Sequence, residues 1–152
     1  MEMALNMPEL RLRLSSIEGD PQMYVDLGPD EVPLLVELLN DEEAWMASRA
    51  VYALTRIATP EAVDAIHEAS ASPRGEVRVA VAASANLLPV PEADQVLTRL
   101  LADPDVGVRK YAIGSVMPDS DASLKQLVMD ISDSDDAVLK GTAESRARDL
   151  GL

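Results

Sequence analysis

The only histidine of the chain, His67, is followed directly by the carboxylate of Glu68. Imidazole and carboxylate groups are metal ligands and general acids or bases, so this pair is the first candidate for chemistry. One histidine cannot supply a multi-histidine metal site, and no G-x-S-x-G or H-E-x-x-H motif accompanies it. We therefore expect a structural or surface role for His67. The sequence predicts no catalytic, cofactor-binding or metal-binding residue.

A second candidate is the acidic stretch 130–144, where Asp133, Asp135 and Glu144 have the spacing of positions 1, 3 and 12 of an EF-hand loop. Position 6 of such a loop requires glycine for a sharp turn, and here it is Val138. Calcium binding is not expected, because capping and solvation of helix ends explain these acidic residues better.

Acidic residues outnumber basic ones by 27 to 13, which gives a net charge of −14. Such a charge repels phosphate backbones, so no nucleic-acid partner is expected. The acids cluster at three predicted turns: Asp41-Glu42-Glu43, Asp103 with Asp105, and Asp133 with Asp135-Asp136. Negative charge is favourable at helix N-termini, which explains this placement. The alternative is a docking edge for a basic segment of a partner.

The composition is typical of a single helical domain. The chain has 152 residues, 47% of them apolar, with no Phe and no Cys. Small and aliphatic side chains suit closely packed helices, and the absence of cysteine excludes disulfides and thiolate chemistry. The opening residues "MEMALNMPEL" lack the pattern of a signal peptide, and no apolar run reaches the ~18–20 residues of a membrane span. We expect a cytoplasmic protein with no membrane partner.

One phrase recurs along the chain at equal intervals, as "GPDEVPLL" from Gly28, "TPEAVDAI" from Thr59 and "VPEADQVL" from Val90. A period of this size indicates a repeat architecture. Within each unit, apolar or small residues follow an anchor residue by 4, 7 and 8 positions, which is one face of a helix. We call this helix B. Its predicted anchors, of which the last follows after a slightly shorter interval, are Met46, Val77, Val108 and Val138.

A second helix of each unit, helix A, precedes helix B. Its predicted core residues, eleven positions before the anchors, are Leu35, Ile66, Leu97 and Leu127. The predicted N-caps of helix A include Gly28, Thr59 and Ser120, and those of helix B are Asp41, Ser72, Asp103 and Asp133. Because one hairpin cannot bury its own apolar face, four should stack into an all-α, right-handed α-solenoid. The predicted repeats of this single domain (1–152) are 29–58, 60–89, 91–118 and 121–150.

Both ends depart from the repeat. Residues 1–28 are predicted to form an irregular N-terminal cap, and 21–28 align with the end of a helix B. In "MPELRLRLSS", strand-like alternation competes with a helix start at Pro8 and Glu9, and we favour a short capping helix. In the last unit, Arg146 falls at a packing position, eight residues after the anchor, which predicts a solvated terminal unit.

The stretches "DPDVGVRKYAIGSV" and "SPRGEVRVAVAASA" resemble HEAT repeats, in particular the short kind named after phycobilisome lyases. The resemblance covers about residues 29–150. It implies an α-solenoid that binds other proteins. Repeats of this type serve many unrelated roles, so the resemblance predicts architecture more sharply than function.

The exposed side of the B helices is the predicted binding surface, since solenoid curvature usually leaves these helices on the concave side. Two columns, two and nine residues after the anchors, are predicted to face outward and contain no acidic residue. They are Ser48, Val79, Lys110 and Lys140, and Thr55, Asn86, Met117 and Ala147. A mixed, mildly apolar groove of this kind suits a helix or loop of another protein.

One stripe of the first helix B differs from its equivalents, because it consists of Trp45, Arg49, Tyr52 and Arg56. These residue types are enriched in binding hot spots. The alternative is that the stripe packs against residues 1–28. We expect Trp45 to be partly buried against the cap, with one edge of its ring exposed.

Together these observations predict a non-enzymatic adaptor or scaffold that binds a protein with a basic or amphipathic segment and needs no cofactor. One alternative, suggested by the type of repeat, is a lyase-like or chaperone-like factor that handles a chromophore or cofactor protein. Another is an acidic decoy for a nucleic-acid-binding protein. The oligomeric state and the identity of the partner do not follow from the sequence.

Overall fold

A computed structural model describes residues 4–15 and 22–152, and in these residues all regular structure is helical. The α-helices are α1 (Met7–Leu14), α2 (Gln22–Val25), α3 (Val32–Leu38), α4 (Ala44–Ile57), α5 (Pro60–Ala69), α6 (Gly75–Ser84), α7 (Val90–Leu100), α8 (Val106–Ser115), α9 (Ala122–Ser132) and α10 (Lys140–Asp149). Short 3-10 turns precede α3 (Pro29–Glu31) and follow α6 (Ala85–Leu87). The predicted all-α solenoid is confirmed: α3, α5, α7 and α9 are the A helices, and α4, α6, α8 and α10 are the B helices.

One continuous core runs between the two layers of helices. Each A helix contributes a fully buried aliphatic residue at the same place, namely Leu35, Ile66, Leu97 and Val128. The B helices contribute smaller side chains four residues after the anchor: Ala50, Val81, Ala112 and Ala143. Neighbouring B helices pack more closely than neighbouring A helices do. Burying each Leu or Ile stabilises the fold by about 1.5–3 kcal/mol relative to leaving it in water.

The repeat interval is the same in every unit, so the predicted register of the last unit was wrong by one residue. Leu139, not Val138, is the buried anchor, with exposures of 1% and 67%. In α9 the buried residue is likewise Val128, whereas Leu127 is exposed. The start of α9 explains the error. Asp121 is the N-cap and accepts a hydrogen bond from the N–H of Ser123 at 3.0 Å. Asp121 therefore aligns with the N-cap Thr59 of α5 and not with Pro60. The predicted cap, Ser120, instead accepts from the N–H of Met117.

The turns from helix A to helix B share one hydrogen bond that the sequence analysis misassigned. The side chain five residues before each anchor accepts from the N–H two residues further on, at 2.9–3.2 Å; these acceptors are Asp41, Ser72, Asp103 and Ser134. They close the turn and are not N-caps, because the helices begin later. The true N-cap of α8 is Asp105, whose Oδ1 accepts from the N–H of Gly107 and Val108. Asp133, the predicted cap, lies at the end of α9.

The N-terminal residues include the predicted capping helix. Asn6 caps α1 by accepting from the N–H of Glu9 at 2.9 Å. Leu10 and Leu14 are four residues apart and fully buried, while Leu12 is exposed, so "LRLRL" has helical and not strand periodicity. Met23 of α2 is buried one repeat interval before Leu54, which agrees with the alignment of residues 21–28 to the end of a helix B.

Arg146 does not form a solvated end. In the corrected register it lies seven residues after the anchor, and its guanidinium donates to the carbonyl of Val116, with Nε at 2.9 Å. A weaker ion pair joins it to Asp149 at 3.9 Å. The side chain therefore satisfies a carbonyl just after the C-terminus of α8 and ties α10 to its neighbour.

Candidate protein-binding face

The exposed side of the B helices is centred on the residues two, three and six positions after the anchors. We call these three rows the B face. The rows are Ser48, Val79, Lys110 and Gly141; Arg49, Ala80, Tyr111 and Thr142; and Tyr52, Ala83, Gly114 and Ser145. None of the twelve residues is acidic, although the chain has 27 acidic residues. Tyr111 is the largest exposed side chain in these rows, at 51%.

Three predicted positions of the outward columns require correction. Thr55 is fully buried, because α6 and the 3-10 turn that follows it pack against α4. Its hydroxyl lies 2.9 and 2.8 Å from the carbonyls of Val51 and Tyr52. Ala147 is buried because it follows the true anchor by eight residues and not nine, so it aligns with Leu54. Lys140 is exposed but follows its anchor by one residue, the position of Arg78 and Arg109 at the turn edge.

The other predicted positions are accessible to different degrees. Ser48 and Val79 are half-buried, whereas Lys110 and Asn86 are exposed. Met117 and Leu87 are both exposed near the C-terminal ends of α8 and α6, at the end of the face. Tyr111 and Leu87 were not predicted. They follow their anchors by three and ten residues, outside the two columns that the helical pattern placed outward.

The stripe Trp45, Arg49, Tyr52 and Arg56 joins the first B helix to the N-terminal residues. The guanidinium of Arg49 lies 5.2 Å from the Trp45 ring centre, and it also donates to the carbonyl of Leu14. The ring of Tyr52 meets that of Tyr24 edge-on at 4.6 Å, and Arg56 lies 6.0 and 5.9 Å from these two rings. Stacking of this kind stabilises by about 0.5–1.5 kcal/mol per pair.

The four stripe residues and Tyr24 form an aromatic–arginine cluster, in which some side chains are buried and others are exposed. Burial raises the pKa of the Tyr24 hydroxyl, since the phenolate would lose solvation. Trp45 is 45% exposed, which agrees with the predicted partial burial. Packing against the N-terminal residues thus accounts for Arg49, Tyr52 and Arg56, while the Trp45 ring remains available on the surface.

Several carboxylates of the acidic turns are engaged inside the protein. Asp103 accepts from Nε and Nη2 of Arg78 at 2.8 and 3.3 Å. The hydrogen bond from Arg11, followed by that from the N–H of Glu43, lowers the pKa of Asp41. Hydrogen bonds from the N–H groups of Leu139 and Val138 lower the pKa of Asp136. The structural explanation of these acids is thereby supported at each turn.

We expect the stabilising effect of Asp136 to depend on pH. Because its folded pKa lies below the ordinary value of 3.8, its contribution is present above that value and is lost as pH falls through the folded pKa. The difference in unfolding free energy between the wild type and Asp136→Ala should therefore be constant from pH 7 to about 5 and shrink below about pH 4. Denaturant titrations at several pH values measure it. A difference that persists undiminished at about pH 3 would contradict this expectation.

His67 lies on α5, in the layer of A helices and not on the B face. Its Nε2 is 3.4 Å from Oε2 of Glu92 on α7, so its nearest carboxylate is not the adjacent Glu68. The two line a crevice of about 480 Å³ with Asp64 and Gln95. Within residues 4–15 and 22–152, no three potential ligands lie close enough together to hold a metal ion. None of the helices described has the length and apolar composition to cross a membrane.

Comparisons with known proteins agree with this architecture. A family model for HEAT repeats matches residues 32–118. The structure of the complex of CpcE and CpcF of phycocyanin lyase from Nostoc sp. PCC7120 includes a chain with a similar fold, at a TM-score of 0.68 and 20% identity. The similarity covers 96% of this chain and 98% of that one. No curated protein matches the sequence.

Proposed function

Since the chain belongs to the HEAT-repeat family, we propose that it is a non-enzymatic scaffold or adaptor that binds a segment of another protein on its B face. The observation that carries the proposal is the exposure of large side chains on this face and at its end. Tyr111 on the face and Leu87 and Met117 at its end are exposed, as are the small residues Ala83 and Gly114 of the central row. Exposed aromatic and Met side chains around a small-residue floor are typical of the centre of a protein interface.

The packing of the helices supports a concave B face. A stack of hairpins curves toward the layer whose helices are closer together, and here that is the B layer. The small residues Ala50, Ala112 and Ala143 allow this close approach. A concave surface contacts more of a bound segment than a flat one does, and it gives each repeat a share in the contact.

We expect the double variant Lys110→Glu/Met117→Asp to weaken partner binding at least about tenfold, because it places two carboxylates in the face. The tagged wild type, purified from an extract of its source cells, first identifies the partner by mass spectrometry. Titration of that partner against both proteins then gives the ratio of dissociation constants.

The matched control is Lys125→Glu/Leu127→Asp on α9. It makes the same chemical changes at a half-buried lysine and at an apolar residue exposed to nearly the same extent, 37% against 39% for Met117. The control should bind like the wild type. Equal weakening by both variants, or by neither, would contradict the proposed face. Catalytic turnover by the purified protein that the B-face variant retains in full would contradict the scaffold function.

A second candidate is a lyase-like or chaperone-like factor for a chromophore protein. The observation that favours it is the full-length likeness to a chain of the phycocyanin lyase complex. At 20% identity this likeness concerns the fold alone, so the scaffold function remains the main proposal. Co-expression with a candidate pigment and its apoprotein distinguishes the two. Absence of a coloured adduct above background would remove this candidate.

A further inference from the structure

We infer that the segment bound on the B face is an acidic amphipathic helix of a partner protein. The inference rests on the proposed function and specifies the chemistry of its ligand. It also differs from the basic segment considered in the sequence analysis, which would suit the acidic turns and not this face.

Three cations on or beside the B face have no carboxylate partner among the described residues. Lys110 lies on the face, and Arg56 and Arg148 lie at its border. Among the residues that the structure describes, no carboxylate oxygen is within 4.0 Å of any of the three. Three arginines elsewhere, Arg11, Arg78 and Arg109, each pair with an aspartate of a turn. In a chain with 27 acidic residues, cations that no carboxylate neutralises give the B face a positive local charge, and the contact of Arg56 with the Tyr24 and Tyr52 rings does not remove its charge.

The charge of the surrounding surface strengthens the preference of the B face for an acidic segment. The nearest acids of the B helices are at the border: Glu76, one residue before its anchor, and Asp149, which already pairs with Arg146. An acidic segment is therefore repelled by most of the molecule and attracted by this face. Such a field guides association and suppresses other binding positions, more than it adds to affinity.

The shape of the face favours a helix. After Tyr52 the central row contains only small residues, Ala83, Gly114 and Ser145. A Cβ atom at Gly114 or Gly141 would meet nothing within 4 Å. This leaves room for a bound helix to approach the backbone of α8 and α10. The described residues offer no strand edge to which an extended peptide could add. From α4 to α8 the face spans two interhelical distances, about 20 Å, which is the length of about 13 helical residues.

A display library of amphipathic helical peptides tests the inference, with one apolar face and polar positions randomised among Glu, Lys and Ser. Wild-type protein should select Glu-rich peptides whose affinity falls as salt is raised. Arg56→Glu/Lys110→Glu should weaken the selected peptides at least tenfold. Lys125→Glu/Lys140→Glu, which makes the same charge change outside the three rows, should leave their affinity within about twofold of the wild type.

A third variant, Gly114→Leu, separates the two proposals, since it fills the floor without changing charge, at a position where an added Cβ atom meets nothing within 4 Å in the free protein. Glu-rich peptides that bind the wild type and lose affinity on Gly114→Leu support both. Neutral or Lys-rich peptides that Gly114→Leu excludes overturn the acidic partner and leave the binding face. Peptides insensitive to Gly114→Leu, or no peptides at all, overturn both. Displacement of the peptides by an RNA or DNA oligonucleotide at equal concentration would also overturn the inference.

Discussion

Leu139→Ala is expected to lower the free energy of unfolding by about 2–5 kcal/mol, whereas Val138→Ala should change it by less than about 0.5 kcal/mol. Leu139 is buried between α9 and α10, so its truncation leaves a cavity in addition to the lost burial of apolar surface. Val138 is exposed and packs against little. Denaturant titration followed by circular dichroism gives both free energies.

The pair of variants also tests the register of the last repeat. If the last interval were shorter than the others by one residue, the large loss would fall on Val138, whereas equal intervals place it on Leu139. Equal losses would mean that neither position is the anchor. The expected difference between the two losses, at least about 1.5 kcal/mol, is well above the error of such titrations.

Asp103→Ala is expected to cost about 2–4 kcal/mol, because it leaves the guanidinium of Arg78 without its carboxylate partner. The Asp103 side chain is 6% exposed and that of Arg78 is 16% exposed. Water can therefore replace the lost carboxylate as a partner of the guanidinium only in part. The variant also removes the turn-closing hydrogen bond to the N–H of Asp105. The estimate lies below the loss found for fully buried pairs, since Arg78 keeps its hydrogen bond to the carbonyl of Ser72.

Two further variants test whether the loss of stability comes from the ion pair or from the removal of any aspartate. Asp133→Ala, at the exposed residue first predicted to play the same role, should change stability by less than about 0.5 kcal/mol. Arg78→Met combined with Asp103→Ala should recover part of the loss, with a coupling energy of about 0.5–3 kcal/mol. Strictly additive effects would show that Arg78 and Asp103 do not stabilise each other.

The sequence was sufficient for the architecture because three copies of one phrase at equal intervals are hard to produce in any other fold. It was not sufficient for the last copy, where Asp121-Ala122 replaces Thr59-Pro60 and the proline that guided the alignment is missing. Two neighbouring apolar residues, Val138 and Leu139, then competed for one buried position. Only packing against the preceding helices decides between them.

The sequence placed the candidate face on the correct helices, but the two columns predicted to face outward were wrong in part. A helical pattern places the core side of α4, but the limits of its exposed side depend on how closely the next helix approaches. Thr55 was lost from the face for this reason. The ion pair of Arg78 with Asp103 also went unnoticed, although a signal existed: arginine follows the anchor in two successive units, and aspartate stands near the next turn in each case.

The turn from helix A to helix B is closed by a hydrogen bond within one repeat unit, which affects how such a protein can gain or lose repeats during evolution. Each repeat unit carries the acceptor and the donor of its turn, so duplicating or deleting a whole unit breaks no hydrogen bond within a turn. Stability then grows with each added neighbour contact, without a new kind of junction. Gene duplication would lengthen the bound segment by one helix width and leave the chemistry of the existing contacts unchanged.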